Sequence, residues 1–300
     1  MLTMSPRHVR RKVASQVFTV VCGLATAIAL FALGLILYSL FKQGFGGMNL
    51  EIFTMDTPAP GSAGGLRNAI IGSVLMCGMG MVMALFIGVL AGTWLAEIGG
   101  DTPYGHLIRF LNDVLLSAPS ILVGLFVYYI LVNPKIGAWH NPFSLGHFSG
   151  WAGSVALALL ATPIVTRTTE DILNLQPNAL REAGMALGGS QFITIRKIIW
   201  KAAGAGLLTG GLLGFARISG ETAPLLFTAL NNQFLPDDWY NVPHLLSEPT
   251  SSVPVVMYNF ALSPDDSWIK LAWAGALLVA LTVLAINVAG RWMARDRTHS

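Results

Sequence analysis

The sequence predicts an all-α, polytopic transmembrane helical bundle of about six spans. Hydrophobic residues make up 54% of the 300 residues and charged residues 11%, whereas soluble domains carry about 25% charged residues. Six apolar stretches are long enough to cross a hydrocarbon core of about 30 Å as helices. Helix is the expected state because backbone groups in lipid must be hydrogen-bonded, and the sequence lacks the alternating ten-residue segments of a membrane barrel.

The apolar stretches define one membrane domain at residues 17–290, between tails at 1–16 and 291–300. We expect its spans at about 17–41, 69–96, 114–132, 149–165, 202–230 and 268–288. The basic start followed by an apolar run is similar to a secretory signal. However, the run of about 25 uncharged residues exceeds the 7–15 residues of a signal's apolar region, so we expect a retained first span.

Lys and Arg residues are concentrated in alternate loops, which predicts the orientation in the membrane. The N-terminal tail holds four of them, the loop at 97–113 one, the loop at 166–201 five and the C-terminal tail three. The outer segment at 222–267 holds none. We therefore expect both termini to be cytoplasmic. This topology also explains the net charge of +3 better than a nucleic-acid-binding surface does.

The last outer segment, at residues 231–267, is acidic and carries Trp239 and Tyr240. Two interpretations remain open for it. It either receives an external partner or is a solvated loop whose aromatic residues lie at the membrane interface.

Small residues recur at four-residue spacing in two of the expected spans. In the second span they are Gly80, Ala84, Gly88 and Gly92. In the fifth span they are Gly206, Gly210 and Gly214. Lipid provides no hydrophobic driving force for helix association, so grooves of small residues bring helix backbones into van der Waals contact. We expect both faces to pack against other helices.

Two charged residues lie inside the fifth span. Arg217 and Glu221 share a helix face because they are four residues apart, and charges at membrane depth face the bundle interior and pair. They either form a structural ion pair or, with Thr222, line a translocation pathway for an anion. Gly220 and Pro224 predict an interrupted helix here, and a helix restarting near Pro224 would direct its N-terminal amides towards the anion.

Further charges lie near the ends of the third and fourth spans. Arg167, Glu170 and Asp171 follow the fourth span and act either as an interfacial anchor or as an inner gate. The same two interpretations, anchor or gate, apply at the start of the third span to Asp113 and the proline-containing segment 117–120. The hydroxyl groups there can also simply satisfy the backbone groups that proline leaves without hydrogen bonds.

The long cytoplasmic loop at residues 167–201 interleaves apolar and charged residues, as short amphipathic helices do. From the pattern alone, such a loop lies on the membrane surface or binds a partner.

This loop also contains a motif. Glu182 and Ala183, with Gly188 six positions after the Glu and Ile198 ten positions after the Gly, resemble the Glu-Ala-Ala loop of ABC importer permeases. The sequence differs from the usual motif at Gly184, where a second Ala is common. The resemblance implies a coupling helix that docks in a groove of an ATPase subunit. The matching coupling residues are Glu182, Ala183, Leu187 and Gly188.

Three longer segments, 115–128, 163–170 and 220–229, resemble the A-type permeases of bacterial high-affinity phosphate importers. The likeness runs from about residue 43 to residue 290. It implies the type I permease fold of ABC importers, a location in the bacterial inner membrane, and translocation of inorganic phosphate into the cytoplasm by alternating access. The residues that match charged positions of the family's pathway are Arg167, Glu170, Arg217 and Glu221.

The same resemblance implies partners. They are a sister permease, PstC, in a heterodimer; two copies of an ATPase, PstB, which would bind ATP and Mg; and a periplasmic phosphate-binding protein, PstS. The sequence contains no Gly-x-x-x-x-Gly-Lys-Ser/Thr loop, so we expect no ATP hydrolysis and no cofactor in this chain. Cys22 and Cys77 lie in apolar runs without His or acidic neighbours at metal-ligand spacing, so no metal site is expected.

Two other functions remain compatible with the residues themselves. An ion-coupled secondary transporter or channel would use Arg217 and Glu221 as a substrate or proton site, and a membrane scaffold or sensor would not transport. An arginine in a pathway also suits phosphate, sulfate and molybdate alike. Substrate identity therefore rests on the resemblance.

Overall fold

The computed structural model describes residues 6–136 and 139–296, whose regular secondary structure is helical apart from one short hairpin. The first half comprises α1 (Pro6–Gly47), α2 (Glu51–Thr54), α3 (Arg67–Trp94), α4 (Pro103–Ser117), α5 (Ser120–Val127) and the antiparallel strands β1 (Lys135–Ile136) and β2 (Trp139–His140). The second half comprises α6 (Gly150–Asn174), α7 (Asn178–Ala186), α8 (Gln191–Thr194), α9 (Trp200–Ala202), α10 (Gly204–Ser219), α11 (Ala223–Thr228), α12 (Val242–Ser247), α13 (Val253–Ala261) and α14 (Asp266–Asp296). Three π-helical segments follow α3, α5 and α8, at Leu95–Gly99, Tyr128–Val132 and Ile195–Ile199.

Helix α6 lies at the centre of the bundle, between α3 and α10, and more than half of its residues are buried. The face of α3 towards it is made of the predicted small residues. A Cβ atom added to Gly80 would lie 2.9 Å from the Ser154 carbonyl oxygen, and one added to Gly92 would lie 2.5 Å from that of Thr166. The prediction that this face packs against another helix is confirmed.

The small-residue face of α10 packs on the other side of α6. An added Cβ at Gly206 would lie 2.7 Å from Ile172, and one at Gly214 would lie 3.2 Å from Val165. The second predicted packing face is therefore also confirmed. Because both neighbours of α6 present glycines, three helix backbones approach closely without lipid between them.

By length and composition, three described helices suffice to cross a membrane. They are Arg10–Gly47, Arg67–Gly99 and Asp266–Gly290, and two bent helix pairs raise the number to five. The predicted span at 149–165 lies within α6, a continuous helix of 25 residues, or about 38 Å. A count of six crossings remains a prediction.

The predicted third span, 114–132, is not one straight helix. Helices α4 and α5 meet at 106° around Ala118 and Pro119. Proline disfavours the helical conformation in the residue before it, and Ala118 is extended, with ψ of 133°. Helix α4 begins before the predicted span, where the Thr102 hydroxyl accepts a hydrogen bond from the Gly105 N–H at 3.0 Å.

The predicted fifth span, 202–230, is divided twice. The interruption expected between Gly220 and Pro224 is confirmed, since α10 ends at Ser219 and α11 begins at Ala223. A second bend, of 74° beside Ala203, was not predicted. Helix α6 continues to Asn174, past residue 167, at which the cytoplasmic loop was expected to begin.

The first and last helices meet at the C-terminal end of α1. Added Cβ atoms on Gly44 and Gly47 would lie 2.7 Å from Leu277 and 2.5 Å from the Lys270 carbonyl oxygen of α14. The described side chains at 10–37 are exposed along the whole length of the helix. Parts of the predicted tails, residues 1–5 and 297–300, lie outside the described residues.

A buried amide organises the end of the bundle at which α3 begins. Asn68, near the start of α3, donates hydrogen bonds to the Thr57 hydroxyl, the Asn232 carbonyl and the Ser251 hydroxyl at 3.2, 2.7 and 3.3 Å. The acidic outer segment at 231–267 is therefore not wholly a solvated loop, because it includes α12 and α13 and is attached to the core through this side chain.

The contact between α3 and α6 predicts opposite effects for two glycine substitutions. We expect Gly92→Ala to lower the free energy of unfolding by about 1–3 kcal/mol, because the new methyl group overpacks the interface. Gly78 is a matched control in the same helix, with nothing within 4 Å of an added Cβ. Gly78→Ala should be neutral or stabilising by up to about 1 kcal/mol. Thermal unfolding of the purified chain in detergent measures both, and equal effects would contradict the close contact.

Candidate functional site

The ion pair expected in the fifth span is present at the helix break. The Arg217 guanidinium, on the last turns of α10, contacts the carboxylate of Glu221, which follows the end of that helix. The Glu221 side chain is 7% exposed, whereas that of Arg217 is 49% exposed. The pair therefore presents a cation to the surface of the chain and keeps the balancing anion inside.

The segment after the break packs against α5. A Cβ atom added to Gly124 would lie 2.5 Å from the Cα atom of Pro224, so only glycine permits this approach. Thr222 lines a groove of about 480 Å³ formed with α13 and α14. Helix α11 has only six residues, and Pro224 contributes no N–H. The amide-lined anion site expected at its start is therefore not supported.

Glu170 does not group with Arg167 and Asp171, contrary to expectation. Arg167 and Asp171 form their own pair at 3.4 Å, with side chains 47% and 57% exposed. The Glu170 side chain is 5% exposed and accepts a hydrogen bond from Arg109 Nε of α4 at 2.7 Å. Glu170 therefore serves as the buried partner of a different helix.

Helix α4 is attached to α6 at two points one turn apart. Arg109 binds Glu170 and also donates to the Gly100 carbonyl, and Asn112 donates to the Pro163 carbonyl at 3.2 Å. The sequence analysis counted Arg109 only as a topology signal and missed this role. The three-residue spacing of Arg109 and Asn112 on a largely apolar helix was the available signal.

The predicted coupling loop contains a short helix, α7, that ends in a Schellman motif. Gly188 has φ of +82°, and its N–H donates to the Met185 carbonyl at 2.9 Å, while the Gly189 N–H donates to the Gly184 carbonyl at 3.2 Å. A residue with a Cβ atom is strained in this left-handed conformation. The backbone geometry therefore accounts for the glycine six positions after Glu182.

Gly184, which replaces the usual alanine of the motif, is a buried residue of α7. An added Cβ atom would lie 2.6 Å from Thr194 Cγ2 and 2.8 Å from Ile198 Cδ1. The missing methyl group lets α7 pack closely onto the α8 segment that follows it. This departure is therefore explained by packing inside the loop.

The predicted coupling residues Glu182, Ala183 and Leu187 are exposed on α7 and its last turn. The same loop carries four exposed apolar side chains, here called the apolar rim, which are Leu175, Met185, Leu187 and Phe192 with relative exposures of 80, 51, 87 and 69%. Exposed apolar patches bordered by polar residues are typical of protein interaction surfaces.

Arg181, one residue before Glu182, is the most extensively bonded side chain of the loop and was also missed. It donates to both carboxylate oxygens of Glu97, in the π-helical segment after α3, at 2.7–3.2 Å. Its hydrogen bonds to Glu97 raise the pKa of the guanidinium above its ordinary value, so the group stays charged. No local pattern connects two residues that lie 84 positions apart.

The Arg109–Glu170 pair is more buried than the Arg167–Asp171 pair. Removing one partner should therefore lower the free energy of unfolding by different amounts in the two cases. We expect Arg109→Ala to lower the free energy of unfolding by about 2 kcal/mol, because it leaves the Glu170 carboxylate buried without its partner. Asp171→Ala removes the exposed pair and should cost at most about 0.5 kcal/mol. Thermal unfolding in detergent compares the two variants, and a smaller loss for Arg109→Ala would contradict the buried pair.

Comparison with known proteins places this geometry in a family. Residues 84–298 match the family model described as binding-protein-dependent transport system inner membrane component. The phosphate transport system permease protein PstA of Haemophilus influenzae is 49% identical over 278 residues, which cover 93% of each chain. The protein of that name from Pasteurella multocida is 47% identical, over 96% of this chain and 97% of the relative.

A solved structure has the same fold at low sequence identity. In the crystal structure of a bacterial alginate ABC transporter in complex with alginate pentasaccharide-bound periplasmic protein, one chain matches with a TM-score of 0.65 and 12% identity, over 95% of this chain and 96% of that one. The predicted type I permease fold is thus confirmed. The PstA relatives and the family match confirm the prediction that the chain is a transporter subunit and not the ATPase.

The chain is thus a multi-pass membrane component of an ABC importer. The length and sequence identity of the matches to PstA proteins support a narrower assignment. The protein belongs to the family of binding-protein-dependent transport system inner membrane components and, within that family, to the PstA permeases.

Proposed function

We propose that this chain is the permease subunit through which an ABC importer moves inorganic phosphate into the cytoplasm by alternating access. The observation that carries the proposal is the half-exposed Arg217 guanidinium beside the buried Glu221 carboxylate, at a helix break. The phosphate-permease names of relatives 47–49% identical to this chain support the choice of substrate.

The chemistry of the pair suits an oxyanion. A guanidinium binds phosphate through two parallel charge-assisted hydrogen bonds, a geometry that a lysine ammonium does not provide. Glu221 balances the charge of Arg217 when no anion is bound, and Thr222 offers a hydroxyl in the adjoining groove. Arg167, half exposed on α6, supplies a second cation along the pathway.

Glu170 contributes to the pathway indirectly in this proposal. Its carboxylate is buried against Arg109, so it holds α4 on α6 and does not meet the anion.

The partners follow from the same proposal. The sister permease PstC completes the pathway in a heterodimer, two copies of PstB bind ATP and Mg, and PstS delivers phosphate from the periplasm. The exposed Glu182, Ala183 and Leu187, together with the apolar rim, form a surface suited to the ATPase. The lysines and arginines of alternate loops support an inner-membrane orientation with both termini in the cytoplasm.

Replacement of Arg217 tests the pathway. We expect Arg217→Gln to reduce ATP-dependent uptake of labelled phosphate at least tenfold, because the neutral side chain no longer attracts the anion. Uptake is measured in proteoliposomes that contain the whole complex, with equal membrane insertion verified. Glu221→Gln breaks the same ion pair but retains the cation, so it should retain more uptake than Arg217→Gln.

Equal losses in the two variants would show that the pair is only structural. Uptake of sulfate or molybdate in preference to phosphate would contradict the substrate, and transport by this chain alone would contradict dependence on an ATPase.

Charge reversal at Glu182 tests the coupling surface. We expect Glu182→Lys to lose co-purification with the ATPase or to lose uptake at least tenfold, while the chain remains folded, because the exposed carboxylate of α7 faces the proposed docking groove. Asp101→Lys applies the same change to an exposed residue of the 97–113 loop and should retain both properties. Full uptake by Glu182→Lys would refute the coupling assignment.

A further inference from the structure

Arg181 joins three separate parts of the chain. Its guanidinium donates to Glu97 at the end of α3, to the Leu173 carbonyl of α6 at 2.8 Å and to the Gln176 carbonyl at 2.8 Å. Arg181 itself belongs to α7, the helix that carries Glu182. One side chain therefore connects the coupling helix to the cytoplasmic ends of two core helices.

The junction is shielded from water. The Glu97 and Arg181 side chains are 5% and 19% exposed. The last carbonyls of a helix lack partners within that helix, and a cation at this end also interacts favourably with the helix dipole. Arg181 donates a hydrogen bond to the Leu173 carbonyl near the end of α6, so its guanidinium binds both a carboxylate and a helix terminus.

Two further hydrogen bonds attach the rest of the loop to the same end of α3. Gln191 of α8 donates to the Glu97 carbonyl at 3.3 Å, and the Trp200 indole donates to the Thr93 hydroxyl at 3.1 Å. Thr93 follows Gly92, where α3 is packed on α6. A movement of the loop would therefore act on α3 at the place where α3 and α6 are already in close contact.

We propose that Arg181 is a positioning residue that transfers movement of the coupling helix α7 to α3 and α6 through Glu97 and the Leu173 and Gln176 carbonyls. The inference rests on the proposed function, since it requires an ATPase that moves α7. It adds a pair of residues to the surface contact already assigned to Glu182: Glu182 receives the movement, and the Arg181–Glu97 pair passes it into the membrane domain.

The conservative variant Arg181→Lys separates transmission from folding. A lysine retains the charge and can reach Glu97, but it cannot form the bidentate fork and bind the helix carbonyls at the same time. We expect the complex to assemble and to hydrolyse ATP within about twofold of the unmodified complex, with the ratio of phosphate imported to ATP hydrolysed reduced at least fivefold. A variant that only unfolds loses uptake and hydrolysis in proportion, which leaves the ratio unchanged.

Two further variants control the measurement. Glu97→Gln removes the charge of the acceptor and should lower the same ratio. Arg196→Lys makes the matched substitution on an exposed arginine of the same loop and should leave the ratio unaltered. An unchanged ratio in both Arg181→Lys and Glu97→Gln would overturn the inference, as would an equal reduction in Arg196→Lys.

A chemical link offers a rescue test. In a background of Cys22→Ser and Cys77→Ala, cysteines at positions 97 and 181 are joined by a short bis-methanethiosulfonate reagent. If a physical connection between α7 and the end of α3 transmits the movement, the link should restore at least half of the lost import-to-hydrolysis ratio. Dithiothreitol should reverse this rescue. A link that forms without any recovery would contradict the proposal.

A second readout distinguishes failure of the inference from failure of the proposed function. Thr222→Cys in the same cysteine-free background reports whether ATP changes thiol labelling at the helix break, without reference to the substrate. If the unmodified complex imports no phosphate, the proposed substrate is wrong. The inference then stands if Arg181→Lys at least halves the ATP-driven change in labelling at position 222, and falls if the change is undiminished.

Discussion

The close contact of α6 with the glycine faces of α3 and α10 is the constraint on which the remaining structure depends. Lipid does not drive helices together, so backbones must approach within van der Waals distance to gain contact energy. The glycines allow that approach on both sides of α6. With the central helix held in this way, its C-terminal end becomes a fixed platform for Glu170 and for the carbonyls that bind Arg181.

Three of the ion pairs described above fall into two classes. The pairs formed by Glu170 with Arg109, and by Glu97 with Arg181, have nearly inaccessible carboxylates and connect segments distant in sequence. The pair of Arg217 and Glu221 lies within one turn and leaves its cation half exposed. Buried pairs are costly to break and so hold one arrangement, whereas a half-exposed guanidinium remains available to an anion.

The features predictable from sequence were those encoded over short distances. Glycines four residues apart predicted the packing faces, and the spacing of Arg217 and Glu221 predicted their contact. The partners of Glu170 and Arg181 were not predicted, because they lie 61 and 84 residues away and one sequence contains no signal for such contacts. The 106° angle between α4 and α5 was not predictable, since proline identifies a kink but tertiary packing sets its angle.

The meeting of α1 and α14 has a consequence for biogenesis. Of the described helices, these are the first and the last in chain order, and α1 packs on α14 through Gly44 and Gly47. The long apolar run of α1 is sufficient to enter the bilayer before α14 has been made. The contact between the two helices forms only after α14 has been translated, so this part of the fold is completed late in synthesis.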